Sequence, residues 1–253
     1  VTDPGSTPLE KKQQLTDGEY KKMYDLYEND FKEGMGAEAI KTLIDELQKK
    51  HHDIIKELLP LEKHEESREV CDALFDSLRG IAQGVCLLGE LSPASLDAIQ
   101  SYGELWSTKI LATKLASIGI ATKWIDSRQI IRTVAKGDKN IVDVQKTYAR
   151  VNEMLENNPI TQLFVLPGFI ASDKQGRTTT LGRGGSDYTA AIIAAELGAA
   201  ELEIWTDVDG FMTADPRVIS SAYVIDQLSY VEATELCNFG AKVVYPPTIY
   251  PVC

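Results

Sequence analysis

Over residues 103–205 the chain alternates apolar helical runs with short apolar strands, and no other feature of the sequence constrains the fold as strongly. Residues 103–118 place Leu105, Ile110, Leu111, Leu115 and Ile118 at helical spacing, with Gly119 where a helix would end. Residues 121–126 read as a strand, residues 144–157 as a helix stopped by Asn158-Pro159, and residues 162–166 as a second strand. A hairpin is predicted over residues 170–181, turning at Asp173-Lys174-Gln175-Gly176. An Ala-rich helix over residues 188–197 ends at Gly198, and residues 201–205 form the next strand. Helices and strands of this length, in this order, predict an α/β protein: a three-layer, mostly parallel sheet between helices.

The N-terminal part has a different texture. Residues 1–16, with Pro4, Gly5 and Pro8, read as a loop or disordered end, and residues 17–90 as an acidic helical subdomain ahead of an α/β core over residues 91–253. Its stripes are Tyr20, Met23, Tyr24 and Tyr27, then Ile40, Leu43, Ile44 and Leu47, then Ile54, Ile55, Leu58 and Leu59 before Pro60. They read as core packing. The chain of 253 residues is long enough for a sizeable core, and its net charge of -12 excludes a nucleic-acid surface while leaving room for a locally basic anion site. No apolar run reaches the ~18 residues that span a bilayer, so a cytoplasmic protein without a membrane partner is expected. Cys71, Cys86, Cys237 and Cys253 are scattered and read as reduced thiols. His51, His52 and His64 have no partners at ligand spacing, so no metal site is predicted from protein side chains.

Chemistry concentrates at loops that leave the predicted strands, where open sheets of this class bind ligands. The Thr178-Thr179-Thr180-Leu181-Gly182-Arg183-Gly184-Gly185-Ser186-Asp187-Tyr188 stretch leads a glycine turn into a helix. Its backbone N–H groups and the helix's positive end suit an anion, although a turn like this also serves as a plain helix entry. The loop from Gly168 qualifies too, as does Thr206-Asp207-Val208-Asp209-Gly210, which continues through Asp215-Pro216-Arg217. Asp-Gly and Asp-Pro are common turn formers, which explains the glycine and proline there but not Arg217. Ser101-Tyr102-Gly103-Glu104 opens the predicted helix, where Glu104 could simply offset the positive helix end. Lys242, in Phe239-Gly240-Ala241-Lys242, could simply snorkel from apolar neighbours. The sequence holds neither a G-x-x-x-x-G-K-[ST] loop nor a strand-linked G-x-G-x-x-G, and no G-x-S-x-G elbow supports a serine hydrolase.

Taken together and in order, these segments resemble the aspartokinase family, strongly over residues 101–253 and only in position and texture before that. The resemblance implies the amino-acid kinase fold and transfer of the γ-phosphoryl group of magnesium ATP to the side-chain carboxylate of L-aspartate, the first step of lysine, threonine and methionine synthesis. It implies that Arg183 grips the aspartate α-carboxylate while Glu104 and Asp187 receive its ammonium group. Thr206, Asp207, Met212 and Arg217 would border the nucleotide, with Lys242 near the phosphates; Lys242 and Asp187 are the implied catalytic residues. ATP and magnesium are the implied cofactors, L-aspartate and ATP the partners, and a homodimer the implied full-length assembly.

The chain also departs from that family. The N-terminal Lys-Phe-Gly-Gly-Thr-Ser segment has no counterpart in these residues, nor do the C-terminal regulatory ACT modules. Met212 stands where an aromatic residue is frequent, and Tyr245 where histidine often precedes proline. A fragment of a longer enzyme, weak or inactive alone, is therefore expected. Alternative readings are a kinase of the same fold for another acceptor, acetylglutamate or a nucleoside monophosphate, and a non-catalytic amino-acid or nucleotide sensor.

Overall fold

A computed structural model of the chain describes residues 36–137, 139–241 and 243–253. The Tyr20–Tyr27 stripe, the predicted loop over residues 1–16 and Lys242 lie outside the described residues. The described chain divides into two compact units: one ends at Ile125 and takes back Thr161–Val165, and the other comprises Asp126–Ile160 and Leu166–Cys253.

The first unit is built on α1 (Gly36–Leu58), α2 (His64–Leu88) and α3 (Pro93–Ser117). Of the stripes read from the sequence, Ile40, Ile44, Ile55 and Leu59 are buried, in a core that also contains Phe75 and Leu78 of α2, while Ile54 and Leu58, read as core, are exposed. Phe75 stacks on Trp106 with ring centroids 4.0 Å apart, and His51 meets both rings. Offset stacking of this kind adds about 1 kcal/mol to the area term. Helix α3 starts ten residues before the predicted position 103 because Ser92 caps Ser95 N–H and Pro93 occupies the first turn, while Gly103 is tolerated inside. Strand β1 (Thr122–Trp124) pairs in parallel with β4 (Leu163–Val165), Lys123 opposite Phe164. Trp124 is pinned to α3 from two sides: its indole N–H donates to Thr108 Oγ1, and Lys109 Nζ lies 3.7 Å from its ring centre.

The second unit begins with a short helix, α4 (Ser127–Ile130), capped by Asp126, and the antiparallel pair β2 (Thr133–Lys136) and β3 (Lys139–Val142). Helix α5 (Val144–Glu156) follows, with Asp143 as its cap and Val151 and Met154 buried. The predicted hairpin is present as β5 (Ile170–Ser172) against β6 (Thr178–Thr180), with Asp173 Oδ1 accepting the Gln175 and Arg177 amides across the turn. Helix α6 (Gly185–Leu197) begins three residues before the predicted position 188, which puts Asp187 inside its first turn. The last helix, α7 (Tyr230–Asn238), carries a capping box between Ser229 and Glu232. Residues 201–205, predicted as a strand, run without a ladder partner among the described residues, and Trp205 is 88% exposed. An apolar alternation forms a strand only where a neighbouring strand takes up its amide groups.

Candidate functional site

Residues of the second unit build the turn that carries Arg183. Gly182 and Gly184 both adopt left-handed backbone, φ 70° and φ 69°, so the chain reverses on either side of Arg183 in a conformation that costs other residues about 1 kcal/mol each. The turn closes with Gly185 N–H donating to Gly182 O at 3.0 Å, and Tyr188 N–H donating to Gly184 O starts the helix. Glycine caps α6, so no side-chain cap hydrogen bond occupies its first turn, and the positive end of the helix favours an anion.

The Gly168-Phe169 loop packs directly against this turn. A methyl group on Gly168 would lie 2.8 Å from Ser186 Cα, too close to be accepted without a backbone shift, and one on Gly185 would lie 3.1 Å from Phe169 Cδ2, a tight contact. Phe169 is the one described non-glycine residue with positive φ, 68°. It is held there by its amide donating to Thr189 Oγ1 and its carbonyl accepting Leu181 N–H at 2.9 Å. Strain in a bulky residue, maintained by surrounding bonds, marks a built site. Sequence reasoning flagged the loop but not Phe169, and a phenylalanine directly after glycine carries no signal for left-handed backbone.

Charge at the turn is unspent. Among the described residues no ion pair or side-chain hydrogen bond engages the Arg183 guanidinium, which is exposed. Burial pushes the Asp187 carboxyl above its ordinary range, and no cation is paired with it among the described residues. The first unit holds Glu104 in the middle of α3, not at a helix start, so offsetting the positive helix end does not account for it. Its carboxyl is also pushed up by burial, and it stands outside the roughly 340 Å³ cavity that Trp106, Ile110 and Trp124 line in that unit.

The other predicted residues sit differently. Thr206 and Asp207 are exposed and bonded to each other, Thr206 Oγ1 donating to Asp207 Oδ1 at 3.1 Å. Met212 is half-buried and bridges to Val224. Arg217 is exposed and turned back on Asp215, its Nε and backbone amide on Oδ1 and its Nη2 2.8 Å from Oδ2. That guanidinium holds the Asp215 carboxyl down at about 2. Among the described residues no group of three His, Cys, Asp or Glu side chains could hold a metal ion, and no helix is long and apolar enough to cross a membrane.

A model of the amino acid kinase family matches residues 14–252. The lysine-sensitive aspartokinase 3 of Escherichia coli is 40% identical over 184 residues, 73% of this chain and 40% of that protein. The chloroplastic bifunctional aspartokinase/homoserine dehydrogenase 2 of Arabidopsis thaliana is 38% identical over 180 residues, 70% of this chain and 19% of that protein. Among solved structures, E. coli aspartokinase III in complex with aspartate and ADP superposes with a TM-score of 0.75 at 35% identity, covering 83% of this chain and 46% of that one. The same enzyme with lysine and aspartate gives 0.73 at 33% identity, covering 93% and 51%. The chain thus spans less than half the length of the curated relatives it matches. It belongs to the amino acid kinase family, and the α/β fold anticipated from the sequence is that family's fold.

Proposed function

We propose that this member of the amino acid kinase family is the kinase portion of an aspartokinase, transferring the γ-phosphoryl group of ATP to the side-chain carboxylate of L-aspartate. The observation that carries the proposal is Arg183, unpaired among the described residues, bracketed by left-handed glycines at the N-terminus of α6 and followed by the half-buried Asp187. A planar guanidinium meets a carboxylate through two parallel hydrogen bonds, and the helix end adds its dipole. Asp187, a raised carboxyl without a paired cation among the described residues, supplies an acceptor for an ammonium group.

The reaction asks little of a base, since a carboxylate is already ionised at neutral pH. Its oxygen attacks the γ-phosphorus, the bond to the bridging oxygen breaks, and ADP leaves with that electron pair. Positioning and charge compensation supply the rate. In this reading Arg217 and Lys242 offset phosphate charge, Thr206, Asp207 and Met212 border the nucleotide, and magnesium arrives with ATP as part of the substrate.

Titration of the 253-residue chain against L-aspartate, N-acetyl-L-glutamate, a nucleoside monophosphate and ADP tests the assignment. Saturable binding of ADP and of L-aspartate alone among the acceptors is expected. Acetylglutamate has no ammonium group for Asp187, so tighter binding of it than of aspartate would overturn the acceptor class.

A further inference from the structure

Arg183 lies between two permissive hinges, and something must fix its direction. On the Gly182 side, a side chain at the glycine would meet nothing within 4 Å. On the Gly184 side the space is full. A methyl group on Gly184 would overlap Tyr245 Cβ and stand 2.5 Å from Cγ and 2.7 Å from Cδ1, so the base of the tyrosine ring lies flush on the turn. Only a residue without a side chain permits that approach.

Tyr245 is itself well held. Pro246 restricts it to extended backbone, φ -72° and ψ 123°, and its carbonyl accepts Thr248 N–H at 2.9 Å. Thr248 and Ile249 beyond it are buried. On its other side Cys237 Sγ donates to Val244 O at 3.2 Å, which ties the same segment to α7. The tyrosine ring therefore stands on a braced segment, with its outer part 37% exposed. Burial raises the Tyr188 phenol, with smaller contributions from Tyr148 and Tyr245, which places three phenols around the start of α6.

We infer that Tyr245 is a positioning residue for the acceptor site, its ring acting as the stop that sets the direction of Arg183 through Gly184. The inference rests on the proposed role of Arg183 as the carboxylate grip. Loss of the stop frees the Gly184 hinge, so the guanidinium samples directions that miss the ligand. Misplacement of about 1 Å in such sites costs up to a hundredfold.

The test compares Tyr245→Phe, Tyr245→Ala and Tyr245→Gly in the 253-residue chain, reading dissociation constants for L-aspartate and ADP together with the melting temperature, and Arg183→Lys serves as a control. The phenylalanine variant keeps the ring and is expected within twofold of the parent for both ligands. Alanine removes Cγ and Cδ1 from the contact with Gly184 and glycine removes Cβ as well, and aspartate binding weakens by about tenfold or more while ADP affinity and melting temperature hold. Unchanged aspartate affinity in the alanine and glycine variants overturns the inference. So does a joint fall in both affinities and in melting temperature, or failure of both variants to fold, since the ring would then support the fold at large. Should the parent chain not bind aspartate, or Arg183→Lys bind it equally well, the underlying reading of Arg183 fails instead, whatever the tyrosine variants show.

Discussion

The Arg183 turn and the Thr206–Arg217 segment carry the same residue types within one compact unit, yet they hold their charges in opposite ways. At the turn, glycine hinges, the strained Phe169 and the Tyr245 ring lock the backbone, while Arg183 stays unpaired among the described residues. Along the segment the backbone is irregular and exposed, and Arg217 is already engaged by Asp215 through both its guanidinium and its amide. A fixed backbone with a free charge is preorganised for a small rigid ligand such as an amino-acid carboxylate. An occupied charge must be released before it binds. On the proposed function, Arg217 leaves Asp215 for a phosphate, and an exposed pair releases it at small cost.

The contrast can be broken most strongly by exchanging the two arginines for alanine. Arg183→Ala is expected to weaken L-aspartate binding by about a hundredfold, the worth of a charge-assisted bidentate contact, while leaving ADP binding intact. Arg217→Ala should do the reverse, weakening ADP by about tenfold at most, with no change in melting temperature. Calorimetric titration of each ligand on each variant reads all four values.

Stability separates the two hinges of the turn. Gly182→Ala carries only the left-handed backbone penalty of about 1 kcal/mol, because its side chain would enter open space. Gly184→Ala adds the collision with Tyr245 and is expected to destabilise by about 2–3 kcal/mol, measured by urea denaturation. Equal losses at the two glycines would show that Tyr245 yields easily.

Acid sharpens the comparison further. Burial raises the Asp187 carboxyl, so it takes up a proton above the ordinary carboxylate range and loses its value as an ammonium acceptor there. Aspartate affinity should therefore begin to fall on acidification before the ordinary carboxylates titrate, ahead of any loss of fold. For stability the sign is opposite. A carboxyl raised by folding favours the fold below its unfolded pKa, and the advantage is lost as pH rises through the folded value. Asp187→Asn should accordingly raise the melting temperature at pH 7, a gain that disappears in acid. Asp215 behaves in the other direction: its lowered carboxyl contributes above the unfolded pKa and loses that contribution as pH falls towards about 2. Being an exposed pair with Arg217, it should leave the melting curve unchanged across about pH 4–7 at moderate salt.

Legibility in the sequence followed the same division. The hairpin at Asp173–Gly176 and the helix after the glycine turn were readable because turn chemistry and helical spacing are local signals. Helix α3 hid its true start because Gly103 looked like a boundary, whereas Ser92-Pro93 held the cap and first turn. That error turned Glu104 into a helix-end charge; placed in mid-helix, the same carboxylate needs another reason to be there. The strand expected over residues 201–205 depended on a non-local partner, which no local pattern can supply. Phe169 and Tyr245 escaped for a related reason, since what makes each informative is its contact with glycines distant in the sequence.

The central claim is that a planar, preorganised guanidinium grips the aspartate carboxylate. Calorimetric titration of L-aspartate into the parent chain and into Arg183→Lys tests it most directly, because lysine keeps the charge and loses the fork. A loss of tenfold or more in aspartate affinity, about 1.4 kcal/mol, with ADP affinity unchanged is the predicted result. Equal aspartate affinity in the two proteins would contradict it.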